Sequence, residues 1–135
     1  MKKDIHSCIS IKKELDIVGA RQIGRDHAKR LGFGTVDQAR IATAISELAR
    51  NIYLYAKVGE ICYEIIDEKS NTGLRVIATD NGPGIRSISQ VMEDGYSTSG
   101  GLGAGLPGVK RLMDQFDIVS EVGKGTEIRT IKWLR

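Results

Sequence analysis

A carboxylate and an amide stand four residues apart in a stretch whose apolar residues recur at helical spacing. Glu47 and Asn51 would lie roughly 40° apart around such a helix, on the shoulder of its apolar stripe, so both would face a partly buried edge. There Asn51 could give an oxygen to Mg²⁺, and Glu47 could orient an attacking hydroxyl or accept its proton. The structural alternative is an exposed Glu/Asn pair, which is common at this spacing.

A second candidate is Asp80, which ends an apolar strand-like run and is followed by Gly82 and Gly84. Its carboxylate could accept a hydrogen bond from an exocyclic amine, while the two glycines let a flat ring approach the backbone. A simple Asp-Asn-Gly turn explains the same residues without any ligand.

Glycine is concentrated in one part of the chain, since eight of the sixteen glycines fall between Gly82 and Gly108. The run before a helical pattern could expose consecutive backbone N–H groups to phosphates, and it consists of Gly101, Leu102, Gly103, Ala104, Gly105 and Leu106. A flexible loop is the alternative. Thr126, which follows Gly-Lys-Gly, could place a hydroxyl near a bound base or could simply belong to a hairpin turn.

The elements that must position these residues follow from the hydrophobic periodicity. It predicts strands over residues 4–12, 60–67, 74–80, 117–122 and 126–134, and helices over 16–32, 36–56, 88–94 and from 107 onward. We expect Asp16 to cap the first helix, Gly32 to end it, and Thr35 with Gln38 to form a capping box for the second. The fold predicted is α+β, a two-layer sandwich whose mostly antiparallel sheet is covered by helices on one face.

Composition narrows the classes of function. The 135 residues predict one domain over residues 1–135, and the net charge of +3 is spread along the chain, which does not favour a nucleic-acid partner. No apolar run approaches membrane-spanning length, so we expect a cytoplasmic protein that is not bound to a membrane. Cys8 and Cys62 lack metal-ligand spacing, so we expect buried, reduced thiols.

Taken in order, the four segments resemble the sequence boxes of the GHKL (Bergerat-fold) ATPase and kinase family. The boxes correspond to residues 46–51, 80–84, 101–106 and 123–126, and the resemblance covers essentially the whole chain. Within that family, residues 32–135 are similar to the anti-sigma-factor serine kinase branch and to the switch kinases of bacterial stressosomes. Residues 33–40 and 97–101 carry this closer likeness.

The resemblance implies a role for each site residue. Glu47 would be the general base, Asn51 the Mg²⁺ ligand, Asp80 the acceptor for the adenine amine and Thr126 an adenine-side contact. The run from Gly101 to Leu106 would hold the ATP phosphates, and residues 85–100 would form a lid. Relatives often carry a basic lid residue, whereas this segment offers Arg86 at its start; other candidates to neutralise phosphate are Arg50, Lys110 and Arg111.

The same resemblance implies a reaction and its partners. The protein would transfer the γ-phosphoryl group of ATP to a serine or threonine of a STAS-domain antagonist or scaffold protein, and would then be released to activate a phosphatase through its regulatory domain. Two alternatives remain open. One is an anti-sigma factor with kinase activity that sequesters a sigma factor, and the other is a stand-alone ATPase related to gyrase or MutL.

Overall fold

A computed structural model of the chain describes residues 6–93 and 105–135. Its elements, in chain order, are β1 (His6–Ile11), α1 (Leu15–Leu31), α2 (Thr35–Tyr55), β2 (Gly59–Glu68), β3 (Asn71–Asp80), α3 (Ile88–Val91), α4 (Gly105–Leu112), β4 (Gln115–Glu121) and β5 (Gly125–Trp133). The strands form one antiparallel sheet in the order β1-β2-β3-β5-β4. The predicted α+β sandwich is therefore confirmed.

Helix α2 is the centre of the core. Its apolar stripe of Ile41, Ile45, Leu48 and Ile52 is buried against the inward-facing side chains of the strands, and α1 packs beside it. Tyr63 links the layers, because its hydroxyl donates a 2.6 Å hydrogen bond to the carbonyl of Ala20 in α1. Burial raises the pKa of Tyr63 well above its ordinary range. This packing fixes the rotation of α2 and hence the direction in which its polar shoulder points.

One of the two ends predicted for helix α1 is different in the structure. Helix α1 begins at Leu15, so Asp16 lies inside its first turn and does not occupy the N-cap position. The Asp16 carboxylate instead accepts hydrogen bonds from the backbone N–H groups of Lys12 and Lys13, each 2.9 Å long, and these bonds lower its pKa. At the other end, Gly32 adopts φ 99°, so its predicted role as the helix stop is confirmed.

The predicted capping box of α2 is wrong. Thr35 is already helical, and Gly34 occupies the cap position. The Gln38 amide donates a 2.8 Å hydrogen bond to the carbonyl of Phe33 instead of reaching back to a capping residue. Helix α2 thus begins one residue earlier than predicted, and the side chain of Gln38 stabilises the turn at Phe33 that precedes it.

The expectation of two buried, reduced cysteines is also wrong. The antiparallel register of β1 and β2 places Cys8 directly opposite Cys62, with their Cα atoms 4.0 Å apart, and the two sulfur atoms form a disulfide. Cys8 is exposed, whereas Cys62 is buried. The cysteines are 54 residues apart in the sequence, so only the pairing of the strands brings them together.

The sheet face that lies away from the helices is largely polar. It carries ion pairs between Arg75 and Glu64, at 2.9 Å, and between Arg129 and Glu127, at 2.6 Å. At one end of this face the ring of Trp133 lies over Gly73, where an added Cβ would come within 2.8 Å of the indole.

The described helices carry no candidate for a membrane-spanning segment. Helix α2 is 21 residues long, but neither it nor any other helix within residues 6–93 and 105–135 is apolar enough over sufficient length to cross a bilayer.

Candidate functional site

A cavity of about 320 Å³ opens between α2, the end of β3, the segment after β3, the start of α4 and β5. Its walls are formed by Glu47, Asn51, Tyr55, Ala56, Asp80, Pro83, Gly84, Ile85, Arg86, Ser87, Gln90, Val91, Gly105, Leu106 and Thr126. Seven of these residues were predicted from the sequence, namely Glu47, Asn51, Asp80, Gly84, Gly105, Leu106 and Thr126. The volume lies within the range of small-molecule sites.

Helix α2 supplies the carboxylate and amide of the cavity. Glu47 is only 4% exposed, so the alternative of an exposed Glu/Asn pair on a helix surface is wrong for this residue. Asn51 is half-buried one turn later and lines the same wall. The guanidinium of Arg50 lies 3.5 Å from Glu47 Oε2, and this ion pair offsets part of the cost of burying the carboxylate.

Asp80 combines a turn contact with a place in the cavity wall. Its Oδ1 accepts a 2.8 Å hydrogen bond from the backbone N–H of Gly82, which is the contact expected of an Asp-Asn-Gly turn. A carboxylate can accept several hydrogen bonds, so the second oxygen remains able to bind a ligand donor. Asp80 also lies directly opposite Thr126 in the β3–β5 register, which brings both side chains to the cavity.

The two glycines that follow Asp80 allow other parts of the protein to approach closely. A Cβ added to Gly82 would lie 2.6 Å from Cβ of Ala56, and Gly82 does not line the cavity. Gly84 lines the cavity but has φ 80°, and its missing side chain would collide with the carbonyl of Glu121. A close approach of a flat ring stays a prediction for Gly84, whereas at Gly82 the structure shows packing against α2.

The glycine-rich segment before α4 is described only at its end. Gly105 and Leu106 line the cavity, while Gly101, Leu102, Gly103 and Ala104 lie outside the described residues, so their contact with phosphates stays a prediction. The predicted lid, residues 85–100, is described as far as residue 93. Arg86 lines the cavity, whereas Lys110 and Arg111 are exposed on α4 and do not. Arg86 is therefore the basic side chain at the cavity among the described residues.

Ser120 supports the site but was not singled out from the sequence. Its hydroxyl lies 2.7 Å from the backbone nitrogen of Ile85, 2.7 Å from Oγ1 of Thr126 and 3.1 Å from the carbonyl of Gly125. Through these contacts β4 is fastened both to the segment after β3 and to the threonine in the cavity wall. The available signal was a serine continuing the inward alternation of Phe116 and Ile118.

Lys132 is a second positioning residue that the sequence did not reveal. Although it is only 5% exposed, its ammonium donates a 2.9 Å hydrogen bond to the carbonyl of Leu112 at the end of α4. Carboxylate oxygens of Asp114 and Asp37 lie 3.6 and 3.8 Å away. Lys132 thereby links the end of α4 to the first turn of α2, and both helices contribute residues to the cavity wall.

Comparison with known proteins agrees with this geometry. The family described as histidine kinase-, DNA gyrase B-, and HSP90-like ATPase matches residues 36–135. A protein of Bacillus subtilis (strain 168) named serine/threonine-protein kinase RsbT is 67% identical over 129 residues, which cover 96% of this chain and 97% of the relative.

More distant relatives carry a different name. Anti-sigma F factors of Caldanaerobacter subterraneus subsp. tengcongensis and of Thermoanaerobacter sp. (strain X514) are each 28% identical, covering 85% of this chain and 83% of their own lengths. The family match and the 67% identity confirm the resemblance carried by the four sequence boxes. The chain belongs to the family of histidine kinase-, DNA gyrase B- and HSP90-like ATPases.

Proposed function

We propose that the protein is an ATP-dependent serine/threonine protein kinase that acts on a STAS-domain protein in a stressosome-like partner-switching system in the cytoplasm. After transfer it is released to activate a phosphatase through the regulatory domain of that enzyme. The observation that carries this proposal is that Glu47 and Asn51 share one cavity with Asp80 and Thr126. The name of the 67% identical relative supports the reaction class.

The proton transfer falls to Glu47. In phosphoryl transfer the protein mainly positions the reactants and stabilises charge, and a carboxylate beside the incoming hydroxyl accepts its proton. Glu47 is a buried carboxylate in the cavity wall, and its ion pair with Arg50 restricts the orientation of the side chain. It therefore has the chemistry and the location of a general base.

Binding of the nucleotide divides among the other residues. Asp80 and Thr126 receive the adenine, and Gly105 with Leu106 begins a helix whose N-terminal N–H groups suit phosphates. Arg86 supplies positive charge in the same cavity.

The residues present also fit a magnesium ion. Mg²⁺ prefers oxygen ligands and is commonly held by one or two protein groups together with phosphates and water. Asn51 offers an amide oxygen in the cavity wall, one helical turn from Glu47. When bound, the ion neutralises negative charge on the phosphates of ATP.

The test is phosphoryl transfer from γ-labelled ATP to purified STAS-domain proteins of the same organism. We expect label on serine or threonine of one of them and none on bovine serum albumin. Asp80→Asn should lower ATP affinity about ten- to hundredfold, because an amide can present a donor where the adenine amine needs an acceptor.

The outcome distinguishes the proposal from its alternatives. ATP binding without transfer to any STAS-domain protein would contradict the kinase proposal. Stable co-purification with a sigma factor would favour the anti-sigma alternative, for which the 28% identical relatives are the supporting observation. ATP hydrolysis without any protein acceptor would favour the stand-alone ATPase.

A further inference from the structure

The three contacts of Ser120 determine the direction of each hydrogen bond. The backbone nitrogen of Ile85 can only donate, and the carbonyl of Gly125 can only accept. A serine hydroxyl carries one hydrogen, and the contact with Gly125 is a hydrogen bond only if Ser120 donates that hydrogen to the carbonyl. With all three contacts made as hydrogen bonds at once, the remaining one, 2.7 Å to Oγ1 of Thr126, is donated by Thr126 and accepted by Ser120.

This direction controls what Thr126 offers to a ligand. Because its only hydroxyl hydrogen is used toward Ser120, the Thr126 oxygen presents lone pairs to the cavity. Asp80, directly opposite Thr126 in the strand register, is a carboxylate and also presents lone pairs. The two side chains together form a pair of hydrogen-bond acceptors in one wall.

A pair of acceptors selects the edge of a ring that carries donors. An exocyclic amine supplies two N–H groups, whereas a carbonyl at the same ring position would bring a third acceptor against the two oxygens. Acceptors that face one another in a buried site have no donor, and the free energy lost by leaving them unpaired exceeds the net free energy gained from one hydrogen bond. Such asymmetry is the physical basis of strong discrimination between polar analogues.

We propose that Ser120 is a positioning residue for base selectivity: by accepting the hydroxyl hydrogen of Thr126, it makes the cavity select 6-aminopurine over 6-oxopurine nucleotides. The inference rests on the proposed function, since it requires that the nucleotide base lies against Asp80 and Thr126.

The experiment measures the affinities of ATP and inosine triphosphate by calorimetry for the wild-type chain and for Ser120→Ala. Inosine triphosphate differs from ATP by a carbonyl in place of the 6-amine and a proton on the neighbouring nitrogen. In Ser120→Ala the Thr126 hydroxyl is free to rotate and donate, so we expect the preference for ATP to fall about tenfold. The ratio is the readout because loss of the Ile85 contact affects both nucleotides alike.

Three variants serve as matched controls. Ser120→Thr keeps the hydroxyl and should keep the wild-type preference. Thr126→Val removes the acceptor itself, so it should lower the preference for ATP as Ser120→Ala does. It therefore tests the inference even if Ser120→Ala is unstable. Thr126→Ser keeps the hydroxyl and should retain the preference. An unchanged ratio in both Ser120→Ala and Thr126→Val would overturn the inference.

Failure of the proposed function would be seen separately. If Asp80→Asn binds ATP as tightly as the wild type, the base does not lie against Asp80, and the assignment of the adenine site is at fault. If Asp80→Asn weakens ATP binding while Ser120→Ala keeps the wild-type ratio, the adenine site stands and the role of Ser120 is wrong.

Discussion

Glu47 in helix α2 and Lys132, which lies against the same helix, are both buried charged side chains, but their surroundings differ. Lys132, from β5, is enclosed near the N-terminus of α2 by one backbone carbonyl and two carboxylates. Glu47, further along α2, pairs with Arg50 and forms part of the cavity wall. Both are at most 5% exposed, so burial by itself does not separate them.

The difference teaches that the surroundings of a buried charge indicate its role. The ammonium of Lys132 is satisfied by groups of the protein and lies outside the cavity, so its contribution should be to stability and to the placement of α4. The carboxylate of Glu47 borders a space that a ligand can enter, so its contribution should be to reaction rate. Perturbed or costly buried charges at cavities are candidates for function, whereas ion-pair networks elsewhere are commonly structural.

The largest effect is expected at Glu47. Replacing it by Gln keeps the size and hydrogen-bonding shape but abolishes basicity, so phosphoryl transfer should slow by roughly 10²–10⁴-fold. ATP affinity should remain within about twofold, because Glu47 is assigned to the incoming hydroxyl and not to the nucleotide. Single-turnover transfer to the cognate partner and calorimetry of ATP binding measure the two quantities.

Asn51→Ala is the matched variant, one turn along the same helix. Loss of a magnesium ligand should damage metal-dependent ATP binding and phosphoryl transfer together. If Glu47→Gln transfers phosphate at the wild-type rate in a protein shown to be folded by circular dichroism, Glu47 is not the base and the proposed contrast with Lys132 disappears.

The next largest effect is expected at Lys132, in the free energy of unfolding. Lys132→Met keeps much of the aliphatic length but leaves the Leu112 carbonyl and two carboxylates without the ammonium, which should cost roughly 2–4 kcal/mol. Urea denaturation measures the loss. Lys124→Met is the control, since Lys124 is 74% exposed and its 4.0 Å pair with Glu121 should matter by less than about 0.5 kcal/mol.

Activity provides the second half of this comparison. Below the unfolding transition, Lys132→Met should retain more phosphoryl transfer per folded molecule than Glu47→Gln does. A Lys132→Met protein as stable as the wild type but as slow as Glu47→Gln would reverse the two assignments.

The smallest effect concerns pH and the carboxylate of Asp114. Burial acts to raise the pKa of Asp114. The hydrogen bonds from the backbone N–H of Trp133 and the guanidinium of Arg135, together with the positive charges of Lys132 and Arg135, outweigh burial and hold the pKa below the ordinary value of 3.8. The stability that this group contributes is therefore fully present above about pH 4 and is lost as the pH falls through its folded-state pKa. We expect Asp114→Asn to be less stable than the wild type at pH 6, with the difference shrinking toward pH 3.

Urea midpoints of both proteins at several pH values between 3 and 6 measure this dependence. A constant difference across the range would show that the loss in Asp114→Asn does not come from the charge of Asp114.

Much of the fold could be predicted because it depends on local patterns. The spacing of Ile41, Ile45, Leu48 and Ile52 indicates both α2 and its buried side, and from them follows the location of Glu47 on the shoulder. The alternation in β2 and β3 indicates the hairpin, whose pairing was confirmed. Chain segments with one strong period leave few choices of structure.

The unpredicted contacts depend on strands that are distant in the sequence. The disulfide requires that Cys8 face Cys62, and the Ser120 contacts require that β4, β5 and the segment after β3 meet at one point. Lys132 looks like an ordinary strand lysine until α2 and α4 are packed around it. Register and packing decide these neighbours, and no short segment contains them.

The position of Trp133 has a consequence for spectroscopy. It is the single tryptophan of the chain, and it lies over Gly73, at the opposite end of β3 from Asp80. Gly73 and Asp80 are seven residue steps apart along β3, or about 23 Å at the usual rise of a β-strand. Intrinsic tryptophan fluorescence should therefore report the loss of the sheet during denaturation. It should change very little when nucleotide enters the cavity. A fluorescence titration of nucleotide binding therefore needs a fluorescent nucleotide or a second tryptophan placed near the site.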